Sequence, residues 1–270
     1  MICLTGDVHH MSLHTTGQQY LGSGLTEIIT GIEYLKIAKR YSVKVTLFLT
    51  GKSIIEEPEN VKKLSQFENV EIGGHTFSAN RPKWLYKGFK LLGVKNGPKF
   101  YQRRDIEKTI KLIKDVTGKN CISWRNHAYW EDKNTIPLLE KTGIKCVSNE
   151  VSPNLLWPRK IGNGSIISVP INVMPDHEHI YHGERTKELI STLDLSHQPF
   201  GAKQYTINEW FEVVKKQIIN IVQKGGIATI LAHPICMKVS DDFVSFEKLC
   251  EFLSHYNTVF MREVGENYIS

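Results

Sequence analysis

The sequence predicts a parallel α/β protein. Apolar, β-branched runs of strand length alternate with helix-period segments about seven times along the 270 residues. The runs are separated by helices rather than by tight turns, so strand hairpins are not expected and neighbouring strands should lie parallel. The composition, 41% hydrophobic and 23% charged, is that of a globular chain, which excludes disordered, collagen-like and low-complexity classes. An open doubly wound sheet and a closed barrel both satisfy this pattern. There is no internal repeat, linker or composition shift, so one domain over 1–270 is the simplest organisation. A chain of this length buries roughly 70–75% of its unfolded surface and needs no disulfide or metal staple to stay folded.

Taken in order, a short strand at 2–4 feeds Thr5-Gly6-Asp7, and a polar loop follows from His9 to about Ser23. Leu25, Ile28, Ile29, Ile32 and Leu35 recur at helical spacing over 25–40, with Arg40 where the helix dipole favours a cation. A strand is expected at 43–49, a short helix at 60–67 and a strand at 70–73. The Pro-, Gly- and aromatic-containing stretch 78–100 gives no clear assignment. Helix 105–116 stops at Gly118, as a C-terminal glycine would dictate. Strand 121–124, helix 133–141, strands 145–148 and 166–173, and the amphipathic helix 207–223 come next. Strand 227–232, helix 243–255 and a last strand at 258–264 complete the chain.

The five cysteines, Cys3, Cys121, Cys146, Cys236 and Cys250, are odd in number and widely spaced, which excludes CxxC metal or redox pairs. With no secretory start and thiols in apolar segments, a cytoplasmic setting is expected. No apolar run approaches the ~20 residues of a membrane helix. The formal charge of +6 is not gathered into a basic block, so nucleic acid is not an expected partner.

The informative feature is where polar residues fall. Asp7, His75, Arg125 and His233 each follow the C-terminal end of a different apolar strand. In barrels and open α/β sheets that edge is where sites form. A carboxylate beside an arginine stays ionised at neutral pH and can take a proton from water or hold a metal. An imidazole across the site can protonate a leaving group. Asp7, Arg125 and His233 therefore suggest hydrolysis with water as nucleophile, because no GxSxG elbow and no catalytic-type Cys is present. Asp7, His9, His10 and His75 are ligand types suited to zinc, iron or cobalt, and in a strand-like run Asp7 and His9 project to one side. The ligand-dense stretch from Pro175 to His182 reads as a polar loop at the cleft mouth, with a second metal site as its alternative. Trp84, Tyr86, Trp130 and Trp157 are aromatics of the kind that stack on sugars, although packing serves any one of them as well. The lysines between Lys83 and Lys99 read as a solvated loop, with attraction of a phosphate or nucleotide-linked sugar as the alternative.

At these residues the chain resembles the polysaccharide deacetylase family (NodB-homology, carbohydrate esterase 4-like), as a divergent member. Leu4-Thr5-Gly6-Asp7 is similar to the family's Thr-Phe-Asp-Asp, and Gly74-His75-Thr76 to the start of its His-Ser/Thr-x-x-x-His. Trp124-Arg125 is similar to Phe-Arg, and Leu231-Ala232-His233 matches Leu-x-His. The resemblance implies a single-domain distorted (β/α)7 barrel. It makes Asp7 the base, Arg125 its orienting cation, His233 the acid and Asp176 the best candidate to support that acid. His75 would be a metal ligand, with His9 or His10 in place of the family's second Asp, which is Val8 here. The second His of the motif falls on Ala79. His127 could turn inward to supply a missing ligand, and Thr76, His127, Tyr129 and Trp130 are the expected substrate contacts. The implied reaction is metal-assisted removal of an acyl group, N-acetyl foremost, from an amino sugar. A cytoplasmic enzyme would take a small, lipid-linked or nucleotide-linked sugar. An amidohydrolase acting on a non-sugar C–N bond, and a degenerate saccharide binder without catalysis, are the alternatives. Asp7→Asn is expected to lower kcat by orders of magnitude while leaving folding intact.

Overall fold

The computed structural model describes residues 1–9, 21–22, 24–183 and 185–269. Strand β1 (Ile2–Val8) is buried along its whole length, and helix α1 (Glu27–Arg40) packs against it. Thr26 caps α1 by accepting the Ile29 N–H, and Lys39 and Arg40 sit in its last turn. Strand β2 (Val45–Leu49), helices α2 (Gly51–Glu56) and α3 (Pro58–Ser65) and strand β3 (Val70–Gly74) follow. The stretch left unassigned by sequence contains helix α4 (Lys83–Leu91), and α5 (Lys99–Thr117) begins earlier than its apolar period indicates. Gly118, at φ 72°, ends α5 in the left-handed conformation that glycine adopts without cost.

Strands β4 (Ser123–Trp124) and β5 (Cys146–Val147) are only two residues long, with α6 (Thr135–Leu139) between them. Two expectations are corrected. A hairpin does occur: β6 (Arg159–Ile161) pairs antiparallel with β7 (Ile166–Ser168) around Gly162 and Gly164, both at positive φ. The Gly-Asn-Gly turn signal was present in the sequence, hidden by the helix–strand alternation around it. After α7 (Lys187–Ile190), α8 (Ile207–Gln223), β8 (Ala228–Leu231), α9 (Pro234–Asp241) and α10 (Val244–Leu253), the expected final strand is instead one parallel bridge, Ile2 to Thr258, followed by helix α11 (Met261–Ile269). Helix wins there because its first N–H groups find acceptors. Phe260 N–H bonds Glu263 Oε2 (2.8 Å), Met261 N–H bonds Thr46 Oγ1 (3.0 Å) and Arg262 N–H bonds Glu71 Oε2 (3.1 Å).

The eight strands form one sheet in the order β6-β7-β5-β4-β3-β2-β1-β8, parallel except at β6. It curls into a half-barrel. The chain beyond β7 continues between β5 and β8: Val151 bridges Ile171, while Asn172 donates to Ile227 O (2.9 Å) and accepts the Thr229 N–H (2.8 Å). A side chain thus makes the hydrogen bonds that a regular ladder would make, which is why the strand expected over 166–173 is regular only at its start. Seven parallel strands, β6 excluded, make up this half-barrel, in keeping with the distorted barrel. Among the described residues no helix is long and apolar enough to cross a membrane.

Candidate active site

The site lies at the C-terminal ends of β1, β3, β4 and β8. Thr5 and Asp7 both reach Arg125, which follows β4 and is fully buried. Arg125 Nη1 donates to Asp7 Oδ1 at 2.9 Å. Nη2 donates to Thr5 Oγ1 (3.0 Å) and Ser148 Oγ (2.9 Å), and Nε to the Ser148 carbonyl (3.1 Å). Its plane lies 4.5 Å from the Phe48 ring centre. The guanidinium is therefore fixed on four sides, and it fixes Asp7. Gly6 is required by crowding: a Cβ there would stand 2.9 Å from the Ala232 carbonyl of the adjoining chain. Burial alone would raise the Asp7 pKa, but Arg125, then His75 and His233, hold the carboxyl well below the usual range.

The free oxygen of Asp7, Oδ2, is flanked by two imidazoles: His75 Nε2 at 3.7 Å and His233 Nε2 at 3.8 Å. Both rings are held from behind. His75 Nδ1–H donates to the Arg125 carbonyl (2.9 Å), which leaves Nε2 as the lone-pair nitrogen. Burial pushes its pKa down to about 3, so it is neutral at neutral pH. His233 Nδ1 donates to Asp176 Oδ1 at 2.6 Å, and the His233 backbone N–H bonds Asp176 Oδ2 at 2.6 Å. Burial opposes the charge on His233, yet Asp176, with Asp7 and Glu178, more than offsets it and the pKa rises to about 9. Two histidines thus stand on either side of one carboxylate in opposite protonation states.

His9 and His127 complete the cluster. The His9 ring centre lies 5.6 Å from His75, 5.2 Å from His127 and 5.6 Å from His233. Its backbone N–H bonds Glu27 Oε2 at 2.9 Å, and its Nδ1 is 3.4 Å from the same oxygen. His127 turns inward because Ala128 and Tyr129 both adopt positive φ (55° and 58°), and Asn80 Nδ2 donates to its carbonyl (3.3 Å). Its Nδ1 is 3.4 Å from His75 Nε2. Burial, then His9 and His75, keep it uncharged. Val8, where the resemblance places a ligand, is fully buried in the apolar core, and Ala79 lines the cleft.

The donor set fits a divalent metal in kind. Two nitrogens bound to one tetrahedral zinc at about 2.05 Å stand roughly 3.35 Å apart, and His75 Nε2 and His127 Nδ1 are 3.4 Å apart. His9 is the third imidazole, backed by Glu27 in the carboxylate–histidine arrangement of metal sites. Its nitrogens do not lie within 4.8 Å of both others as the rings stand, so a turn of the ring is needed to bring it to bonding distance.

The structure brings Asp7, Arg125, His75, His233, Asp176, His9 and His127 together; His10 lies outside the described residues. Thr76 is buried at φ 60° beside His75 and does not line the cleft. Tyr129 Oη donates to Glu178 Oε1 (3.2 Å), while Trp130 lines the cleft with Lys90 Nζ 4.8 Å from its ring centre. The cleft encloses about 550 Å³. Arg81, Lys83, Lys87 and Lys90 line one part of it, and His177, His182 and Cys236 another. Sequence reasoning missed Glu27, because a first-turn acid is usually explained by the helix dipole alone. It also missed Cys236, which stands three positions after the proposed acid.

Residues 32–147 match the model of the polysaccharide deacetylase family. No curated protein matches the chain. Among solved structures it is similar to a protein assigned as a polysaccharide deacetylase from Mycobacterium smegmatis (17% identity, TM-score 0.74, covering 99% of this chain and 89% of that one). It is also similar to PuuE allantoinase (10%, 0.65, 99% and 89%) and to a protein assigned as a polysaccharide deacetylase from Pseudomonas aeruginosa PAO1 (12%, 0.64, 99% and 90%). These likenesses establish the fold. The matched segment carries His75 and Arg125, while Asp7, Asp176 and His233 lie outside it and join them by geometry. The match to the family model covers less than half of the chain, and the likeness to the solved structures shows the shared fold.

Proposed function

We propose that this protein removes an acyl group, N-acetyl foremost, from an amino sugar, with Asp7 as base and His233 as acid. One observation carries the reading: Asp7 Oδ2 faces a neutral imidazole on one side and a charged one on the other, at 3.7 and 3.8 Å. A divalent metal held by His75, His127 and His9 would polarise the acyl oxygen and acidify the attacking water. Arg125 keeps Asp7 ionised and aimed, and Asp7 accepts the proton of the water as it attacks the carbonyl carbon. His233, charged at neutral pH, faces the same space through Nε2 and gives its proton to the departing amine nitrogen. Asp176 holds the His233 ring by Nδ1 and stabilises it before the transfer. Trp130 offers an aromatic face to a sugar ring. The basic wall of Lys83, Lys87 and Lys90 supports a phosphorylated, nucleotide-linked or lipid-linked substrate over a neutral one.

Acetate release should be measured on neutral, phosphorylated and nucleotide-linked N-acetyl sugars, alongside metal analysis of the purified protein. Release that depends on a divalent metal, with the anionic sugars turned over best, is the expected result. Saccharide binding without release would instead make the chain a degenerate binder.

A further inference from the structure

The family's metal position does not account for a second group of donor atoms in the cleft. His177 and His182 follow Asp176 in the loop after β7, and Cys236 lies in the first turn of α9. Cys236 Sγ is 3.6 Å from His177 Nδ1 and 3.6 Å from His182 Nε2. The three donor atoms all lie within 4.8 Å of one another. In a tetrahedral site, bonds of about 2.3 Å to sulfur and 2.05 Å to nitrogen place S and N roughly 3.55 Å apart. Both sulfur–nitrogen separations therefore match the edges of a zinc tetrahedron before any metal enters. An S–H donor can serve only one of the two nitrogens, so a hydrogen bond explains at most one of these contacts.

The chemistry agrees with the geometry. A neutral imidazole at His177 and at His182 would each offer a ring-nitrogen lone pair to a metal. The Cys236 thiol is buried and would exchange its proton for the metal, releasing that proton to solvent. Cys, His and His are ligands for a borderline-soft ion. All three residues line the cleft, so the fourth position opens toward whatever the cleft holds. We propose that His177, His182 and Cys236 form a second metal site, selective for zinc, whose open position takes water or an oxygen of the bound ligand. The site is independent of the proposed metal at His75, His127 and His9, although it lies beside it: His177 and His233 ring centres are 5.5 Å apart.

The test uses the whole chain, stripped of metal and titrated with Co²⁺ as a spectroscopic substitute for zinc. The expected result is a thiolate-to-cobalt charge-transfer band in the near ultraviolet. Cys236→Ser should abolish the band and lower the bound metal by one equivalent. His75→Ala should lose a different equivalent and keep the band, which separates this site from the deacylation reading. The other four cysteines are buried outside this group, so a band that survives Cys236→Ser overturns the proposal, as does no band in the wild type. Should Cys236→Ser fail to fold, His182→Ala, in a part-buried loop, should weaken zinc binding by about 100-fold or more, since losing even an outer-shell partner costs 10–100-fold. Unchanged zinc affinity in that variant overturns the proposal equally.

Discussion

Asp176→Asn tests the proposed acid directly. Asp176 meets His233 twice, through ring and backbone, both at 2.6 Å. Burial lowers the His233 pKa, and Asp176 is the largest of the influences that raise it to about 9, with Asp7 and Glu178 adding to it. The rise from 6.5 to about 9 corresponds to roughly 3 kcal/mol of preference for the charged ring, at about 1.36 kcal/mol per tenfold. Asparagine keeps the shape but removes the charge, and its single amide oxygen can accept only one of the two His233 N–H groups. The pKa should then fall to 6.5 or below. At pH 7.5 the protonated fraction would drop from about 97% to about 10% or less, so kcat should fall at least about tenfold and recover as the pH is lowered through 6. Stability follows the same sign. Because the folded pKa is raised, the wild type gains from His233 below pH 6.5 and loses that gain as pH rises through about 9; the variant should lack this slope. The assay is a pH–rate profile of acetate release, with the imidazole titration followed by NMR. An alkaline limb that stays near pH 9 in Asp176→Asn would refute the assignment of His233, held by Asp176, as the acid.

Asp7→Asn should lower kcat by about 10² to 10⁴ and, contrary to the expectation from sequence, should also lower Tm, because it leaves the fully buried Arg125 without its carboxylate; wild-type turnover would remove Asp7 from the role of base. Chelation should abolish acetate release, and zinc or cobalt should restore it in the wild type but not in His75→Ala, whereas activity unaffected by exhaustive chelation would count against metal assistance. Glu71→Ala strips the acceptor from Ser123 Oγ, Thr46 Oγ1 and the Arg262 N–H and should cost about 2–4 kcal/mol with faster amide exchange in α11; an unchanged melting curve would mean that the helix start does not depend on this carboxylate.

The legible parts of the molecule were those with a local cause. The strand at Val45–Leu49 and the helix at Ile207–Gln223 are encoded by period, cap and terminator within their own segments. The placement of Asp7, His75, Arg125 and His233 was legible too, because a polar residue after an apolar parallel strand has few places to go. The less legible parts have distant causes. The segment after Thr258 is apolar and β-branched enough to read as a strand, yet Thr46 and Glu71, some 200 positions earlier, supply the acceptors that start a helix instead. The inward turn of His127 depends on left-handed backbone at Ala128 and Tyr129, residues that seldom adopt it. The convergence of Cys236 on His177 and His182 spans more than fifty positions and leaves no spacing to detect.

The family that the chain resembles has a metal-ligating carboxylate where this sequence has Val8, a difference that would change the charge of a metal-bearing site. Arg125 with Asp7 and His233 with Asp176 form two opposed ion pairs, each near neutrality. A divalent cation held only by neutral imidazoles would carry its full double charge into this buried space, at a large desolvation cost. The strand alternation that turns Val8 toward the core also turns His9 to the side of Asp7. His9 brings Glu27 behind it, with Oε2 2.9 Å from its backbone nitrogen. The negative charge is thereby moved one bond network outward rather than lost. A carboxylate acting through an imidazole neutralises less of the metal's charge than one bound directly. A metal held by His75, His127 and His9 would therefore remain the stronger Lewis acid and would acidify water more strongly. That would suit Asp7, because a carboxylate held below its usual pKa accepts a proton more readily from an acidified water. On the proposed reading, that residual positive charge and the lysines lining the cleft would both favour a substrate that arrives with negative charge of its own.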